Sequence, residues 1–391
     1  RVSTGPTCGT PHLPMASIHL DTVSVWFQFA LTRLAGIAIC HASDGPITST
    51  PVELQQVMRV IVFLFLSLAQ LMWPIHVRAE PELEMRANIE RAASKAFRER
   101  NFDMLERTAN EFRTTKARTS SGLWKLTLFY SGISRGISES TGKNPSRFDE
   151  VEDIVAEWTR KYPKSPSAWI SHSVVLKSRG WAYRGEGYAN TVSAEAWKPF
   201  YSYIGRAREV LEKNKEVAAI DPKWYEEMLI IAAVQSWEQS NFVALVNEAL
   251  QREPYFYQTY FSALEYLLPK WGGNVAEVEQ FALASVGLTS TREGKGMYAR
   301  IYWYASQSQF GNAIFQSSVA KWTSMRDGFD DVIDRYPDAW NMNNYAKFSC
   351  LAGDVGKLRE LLKRVENDAL MAAWGSRKLY LQCKELASVA R

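Results

Sequence analysis

Histidine and cysteine are scarce in this chain: five and four among 391 residues. Only His172 and the pair Cys350 and Cys383 lie beyond position 79. A histidine-rich metal site is thereby excluded, and two thiolates alone cannot build a structural zinc centre. The nucleotide-binding fingerprints GxGxxG and GxxxxGK[ST] are missing, and Gly294-Lys295-Gly296 is too short to cradle phosphates. No long run of one charge sign occurs, and the formal net charge is only +4. Nucleic-acid binding rests on many phosphate contacts and finds no support here. Neither metal, cofactor nor nucleic acid is expected.

Long hydrophobic runs are lacking too. A permanent membrane span needs about 20 apolar residues. The greasiest stretch, Val60–Trp73, falls short of that. Met58-Arg59 gives it a basic start, Pro74 breaks it, and Val77-Arg78-Ala79 supplies small residues at its end. That is the three-part layout of a secretory signal. A buried helix this apolar would be hydrophobic all round, which only large interiors accommodate. The expectation is a signal peptide at 58–79, cleaved after Ala79. The product is then periplasmic or secreted, with no stable membrane anchor. Residues 1–57 contain no lysine, yet hold five prolines and two of the cysteines, unlike the remainder of the chain. They read as translation from upstream of a true start at Met58, outside the fold. Val23–Cys40 is apolar but carries Arg33, and a central charge costs roughly 2.5–3.5 kcal/mol on insertion.

What is present is helical periodicity. Apolar spacing predicts helices over Glu84–Arg98 and Met104–Lys116, the second capped by Asp103. Leu123–Ile133 continues the pattern, and Gly136–Ser146 reads as a loop. From Phe148 onward the chain reads as helix pairs. Phe148–Lys161 ends in Tyr162-Pro163 and restarts at Ser167-Ala168-Trp169. Phe329–Val332 leads likewise through Tyr336-Pro337 to Ala339-Trp340. Glu216–Pro222 is echoed by Glu248–Pro254 at an offset of 32, each followed by an aromatic-rich helix. Proline suits the first turn of a helix, where its missing N–H is no loss. Such a period marks stacked helical hairpins. The fold expected is all-α, an α-solenoid of antiparallel helix pairs over 80–391, either whole or divided into 80–310 and 311–391. Cys350 and Cys383 lie 33 residues apart, close to one repeat. A disulfide in an oxidising compartment therefore stands against two buried free thiols.

Within Lys223–Pro254 the chain resembles a tetratricopeptide repeat. Ala249 is the small residue late in the second helix and Pro254 the terminator, whereas Phe242 and the lack of a tight glycine depart from the pattern. The resemblance implies a degenerate superhelix. A second resemblance, to a bacterial family of unknown function, runs from Leu123 to Trp303. It rests on Trp124-Lys125-Leu126, Gly180-Trp181-Ala182-Tyr183-Arg184-Gly185, Gly187-Tyr188-Ala189, Leu267–Gly273 and Tyr298–Trp303. It implies a helical fold and no particular activity.

Three aromatic and polar clusters are candidates for a ligand surface: Gly180–Val192, Pro269–Gly273 and Tyr298–Tyr304. If they meet on the concave side, Trp181, Tyr188, Trp271 and Trp303 offer flat contacts. Arg184 and Arg300 offer forked donors for a carboxylate or phosphate. The competing reading pairs both arginines with Glu186, Glu195 or Glu293 to lock loops. The function expected is an exported, non-catalytic binding or scaffold protein for a protein, peptide or envelope glycan. The alternative is an envelope carbohydrate-active hydrolase or lyase using paired carboxylates, with Glu186, Glu265 and Glu293 as the acids. The match Gly132-Ile133-Ser134-Arg135-Gly136 reads as a helix end, because a nucleophile elbow needs a strand before its serine. His172 reads as a core or surface residue and not as a base.

Overall fold

The computed structural model describes residues 81–389 apart from 186 and 188. The expected signal at 58–79, the segment 1–57, Glu186 and Tyr188 lie outside the described residues. Those described are all-α: no strand occurs among them, only an isolated antiparallel bridge between Arg118 and Trp124. No described helix is long and apolar enough to cross a membrane.

The principal helices are α1 (Glu82–Arg98), α2 (Phe102–Thr115), α3 (Lys125–Thr141), α4 (Asp149–Lys161) and α5 (Pro166–Arg184). There follow α6 (Ala194–Lys213), α7 (Pro222–Val234), α8 (Gln239–Arg252), α9 (Tyr257–Leu267) and α10 (Val275–Glu293). The series closes with α11 (Gly296–Ala305), α12 (Trp322–Arg335), α13 (Ala339–Leu351), α14 (Val355–Arg364) and α15 (Arg377–Val389). Their starts follow capping chemistry. Asn101, Ser165, Asp221, Asn274, Asp338 and Asp354 each accept a backbone N–H of the first turn. Pro166 and Pro222 occupy first-turn positions, as their chemistry favours.

Two local expectations change. The cap of α2 is Asn101, whose side chain accepts from Met104 N at 3.2 Å, while Asp103 sits inside the first turn. Gly136 and the serines up to Thr141 continue α3 instead of forming a loop. Packing is the reason. A Cβ on Gly132 would lie 2.6 Å from Ala93 Cβ and 2.6 Å from Glu90 O, and one on Gly136 would crowd Phe97 and Ser94. These glycines let α3 lie directly against α1, so burial overrides their weak helix propensity. Ser134 therefore sits within a continuous helix, which rules out an elbow there.

Helices pack on their neighbours and next neighbours: α1 on α3, α5 on α6, α7 on α8 and α9, α10 on α11, α11 on α12, α13 on α14. A continuous aromatic and aliphatic core runs through them, from Phe97 and Trp158 to Tyr345 and Trp374. Near its end Cys350 and Cys383 are joined by a disulfide.

Segment 117–124 makes contacts of a different kind, distant in sequence. Glu82 anchors it. The carboxylate is almost wholly buried and accepts from Thr119 Oγ1 at 2.8 Å, Ser120 Oγ at 2.8 Å, Ser121 N at 3.1 Å and Ser121 Oγ at 2.6 Å. Arg86 Nε donates to it at 2.5 Å. Thus held, the segment reaches the turn before α9 and the helices α11 and α13. Arg118 Nη2 donates to Tyr255 O at 2.8 Å, and the Ser121 carbonyl receives Arg300 Nη2 and Asn341 Nδ2, each at 3.2 Å. Gly122 packs under the Tyr336 ring, at a φ of 91° that favours glycine.

Candidate functional site

The Ser121 carbonyl sits at the wall of a cavity of about 140 Å³. Its lining comes from helical stripes. Arg300, Trp303, Tyr304 and Gln307 recur at i, i+3, i+4 and i+7, so α11 and the π-turn after it present one face. Tyr257 and Phe261, four apart, come from α9. Trp340 and Asn341 open α13, Arg86 projects from α1, and Ser121 with Leu123 completes the wall.

Arg300 is the centre of this cavity. It is only 8% exposed, and its one hydrogen bond among the described residues is the Nη2 contact with Ser121 O. Its guanidinium stacks over the Tyr257 ring at 4.6 Å and the Tyr336 ring at 5.6 Å. Nε is buried without a partner. No carboxylate among the described residues pairs with it, Glu195 and Glu293 included. The aromatic rings contribute cation–π attraction but no acceptor. Arg118 stacks over the same Tyr257 ring at 4.7 Å and spends its Nη atoms on the Gly122 and Tyr255 carbonyls. Burial raises the Tyr257 phenol far above its ordinary value, against the lowering pull of both arginines.

Asn341 is fully buried. Its Nδ2 donates to Ser121 O at 3.2 Å and to Tyr336 O at 3.0 Å, two carbonyls that fix the amide's orientation. Its Oδ1 accepts nothing. A buried polar atom left unpaired costs about 1–3 kcal/mol. Two residues of this lining thus each hold a polar atom that is closed to water and unpaired, which is unusual because most buried polar atoms find a partner. Arg86, by contrast, is engaged by Glu82 and lies over Trp340 at 5.0 Å.

The six aromatic and arginine residues singled out from sequence fall in different places. Arg300 and Trp303 share the cavity just described. Trp181 lines a second cavity of about 260 Å³, with Ser134, Ser138 and Thr141 of α3 and Ser178 of α5. Arg184 stacks over Trp181 at 5.0 Å and Trp197 at 5.1 Å, and its Nη1 turns back to the carbonyls of Gly185 and Gly187. It locks its own loop, through carbonyls and not through Glu195. Trp271 is 46% exposed on the turn after α9, its Nε1 donating to Glu265 at 3.2 Å. Tyr188 is among the residues not described.

Of the acids of the alternative reading, Glu186 lies outside the described residues, and Glu265 and Glu293 are occupied elsewhere. Glu265 accepts from Tyr304, Ser308, Trp271 and Lys270. Burial pushes its carboxyl up, but Lys270 and the hydroxyls outweigh that and hold it below the ordinary value. Glu293 accepts from Tyr336 OH at 3.2 Å. Neither lines the Arg300 cavity. His172 stacks on Trp169 at 6.4 Å with Nδ1 unpaired, and burial lowers its pKa.

The chain matches no family model, no curated protein and no solved structure. Its chemistry is read from the geometry alone.

Sequence reasoning missed Tyr257, Trp340, Asn341 and Ser121. The signals that could have found part of this lining are spacings: Arg300, Trp303, Tyr304 and Gln307 at i, i+3, i+4 and i+7, and Tyr257 and Phe261 four apart. Nothing local in the sequence says that Ser121 and Asn341, 220 residues apart, share a hydrogen bond.

A second charged cluster lies on α7. Lys223 Nζ meets Glu226 Oε1 at 2.5 Å and Glu227 Oε1 at 2.9 Å, and Lys177 Nζ meets Glu227 Oε2 at 2.5 Å. Burial raises the Glu226 carboxyl against the pull of Lys223, and the Glu227 charge adds to that rise. For Glu227 the two lysines outweigh burial and hold it low. Neither acid lines the Arg300 cavity. The cluster is an internal ion network joined to Tyr130, over whose ring Lys223 Nζ lies at 5.8 Å.

Proposed function

We propose that this chain is a non-catalytic binding or scaffold protein that takes a protein, peptide or envelope ligand at the Arg300–Trp303 cavity. The observation that carries the reading is the guanidinium of Arg300, which lines the cavity with no carboxylate partner among the described residues, set among Tyr257, Phe261, Trp303 and Trp340. Ligand sites are typically apolar clefts with a few convergent polar groups, and this cavity has that composition. Of the acids named for a hydrolase, Glu265 and Glu293 are hydrogen-bonded away from it.

We read the helices as a degenerate tetratricopeptide-like solenoid of antiparallel pairs, supported by the packing of each helix on its next neighbours. In this reading segment 117–124 is a strap that ties the first pairs to α9, α11 and α13. Export through the signal at 58–79, to the periplasm or medium, is supported by the Cys350–Cys383 disulfide, since such bonds persist in oxidising compartments.

The test is ligand capture from envelope extract by the purified mature chain, with bound compounds identified by mass spectrometry. A compound retained by wild type and lost on Trp303→Ala supports the reading. Equal retention by both proteins refutes it. Consumption of an envelope glycan by the wild-type protein would replace it with the hydrolase reading.

A further inference from the structure

The second cavity, between α3 and α5, is wider than the first, and three of its hydroxyls can be reached from solvent. We propose that it is a ligand site of its own, for a small uncharged amphiphile. Such a molecule has an apolar body of about ten carbons and carries one hydroxyl.

Two helical stripes at i, i+3, i+4 and i+7 face each other across this slot. α3 contributes Ser134, Ile137, Ser138 and Thr141. α5 contributes Ser178, Trp181 and Ala182, and Gly185 follows its last turn. Short side chains hold the slot open, since a longer one at Ser138, Ser178 or Ala182 would occupy it. At Gly185 an added Cβ would meet nothing within 4 Å, so that end is open as well. Phe148 and Ile137, almost wholly buried, form an apolar floor. Trp181 forms one wall and is held in place by Phe200, edge-on at 5.1 Å, and by Arg184 at 5.0 Å. A cavity of roughly 150 Å³ takes benzene, so one of about 260 Å³ has room for about ten carbons.

The serines define the head of the ligand. A serine inside a helix can donate back to its own backbone, as Ser285 does to Phe281 O and Ser349 to Tyr345 O. The hydroxyls of Ser134, Ser138 and Ser178 make no such bond and have no partner among the described residues. Ser134 and Ser138 are exposed, and Ser178 is half-buried with its hydroxyl still open to water. Thr141 differs: its Oγ1 donates to Ile137 O at 2.8 Å and accepts from Lys143 N at 3.2 Å, so the deep hydroxyl is used up. The free polar valences therefore lie at the mouth, above an apolar floor. Hydroxyls that both donate and accept match a head that does both.

Charge of either sign fits badly. No carboxylate lines the slot among the described residues, so a cation finds no counter-ion there. Lys143, the one charged residue of the described lining, has an interaction of its own. Arg135, beside Ser134, pairs with Glu139, and Arg179, beside Ser178, pairs with Asp149 and Glu152. An ion drawn out of water without an uncommitted partner is costly. A sugar fits badly too, since ring hydroxyls turned toward Ile137, Phe148 and Trp181 would go unpaired.

The experiment is calorimetric titration of the wild-type chain at pH 7 with matched probes: 2-naphthol, naphthalene-2-carboxylate, 2-naphthylmethylamine and octan-1-ol. 2-Naphthol should bind saturably, at least about 10-fold tighter than either ion. Changing Ser134, Ser138 and Ser178 together to alanine should weaken 2-naphthol about 5-fold, the loss of a neutral hydrogen bond. Ser138→Leu sends a branched chain into the slot from an exposed position and should weaken it at least about 10-fold. A tighter 2-naphthol than octan-1-ol assigns a ring as the apolar body, the reverse order assigns a chain, and either upholds the site. Three results overturn the proposal: an ion bound as tightly as 2-naphthol, no saturable binding of either alcohol by about 2 mM, or wild-type affinity for 2-naphthol in Ser138→Leu. The ranking of probes on the wild-type protein decides without any variant having to fold.

Discussion

Replacing Glu82 by glutamine should loosen both the fold and the cavity. The carboxylate side chain is 2% exposed and receives five donors: Arg86 Nε, Thr119 Oγ1, Ser120 Oγ, Ser121 N and Ser121 Oγ. A glutamine can place its oxygen where Oε1 accepts three of these. Its amide nitrogen then faces Ser121 N–H, donor against donor, and Arg86 loses its counter-charge. Breaking one side of a buried pair costs about 3–5 kcal/mol, and the partial exposure of Arg86 favours the lower half of that range. With unfolding entropy of ~2.1 cal/mol/K per residue over roughly 300 residues, a loss of ~3–4 kcal/mol lowers Tm by about 5–6 °C.

The pH dependence gives a second arm. Burial pushes the Glu82 carboxyl up, but Arg86 and the Ser121, Ser120 and Thr119 hydrogen bonds outweigh it, so its pKa lies below the ordinary 4.5. A carboxyl with a depressed folded pKa stabilises fully above the unfolded value and loses that stabilisation as pH falls through the folded one. The gap between wild type and Glu82→Gln should therefore be widest at neutral pH and close as acid is added below about pH 4.5. Urea unfolding of both proteins along a pH series measures it. Stabilities within about 1 kcal/mol at pH 7, or a gap that does not narrow in acid, would refute the account of segment 117–124 as a strap held by one buried anion.

On α7, Glu226→Gln should be nearly neutral to stability at pH 7, because burial and Glu227 already oppose its charge and Lys223 keeps Glu227 as a partner, whereas Glu227→Gln leaves Lys177 unpaired and should cost about 3–5 kcal/mol by chemical denaturation. Gly132→Ala should destabilise by about 1–3 kcal/mol in the same assay, since Glu90 O at 2.6 Å from the new Cβ is backbone and cannot give way cheaply. Cys350→Ala paired with Cys383→Ala should lose roughly 3–4 kcal/mol, the chain-entropy value for a separation of 33 residues, and reductant should then no longer shift Tm.

Much of the architecture was legible along the chain. Helix starts at Ser165-Pro166 and Asp221-Pro222 are chemical, set by a capping oxygen followed by a residue without an N–H, and they appear where the dipeptides stand. The all-α class follows from apolar spacing near 3.6 over most of the chain. Gly136 misled, because a glycine that ends a helix and one that admits a neighbouring helix look alike in sequence. What separates them is whether another backbone occupies the space of the missing Cβ, and that is a property of packing. The site divides the same way. Arg300, Trp303, Tyr304 and Gln307 share a face by local geometry alone, so the sequence determined that an arginine would stand among aromatic rings. Which of its hydrogens stay unused depended on Ser121 arriving from a strap held by Glu82, and on Asn341 arriving from α13. Those contacts join residues 179 and 220 positions apart, and only burial of the intervening helices brings them together.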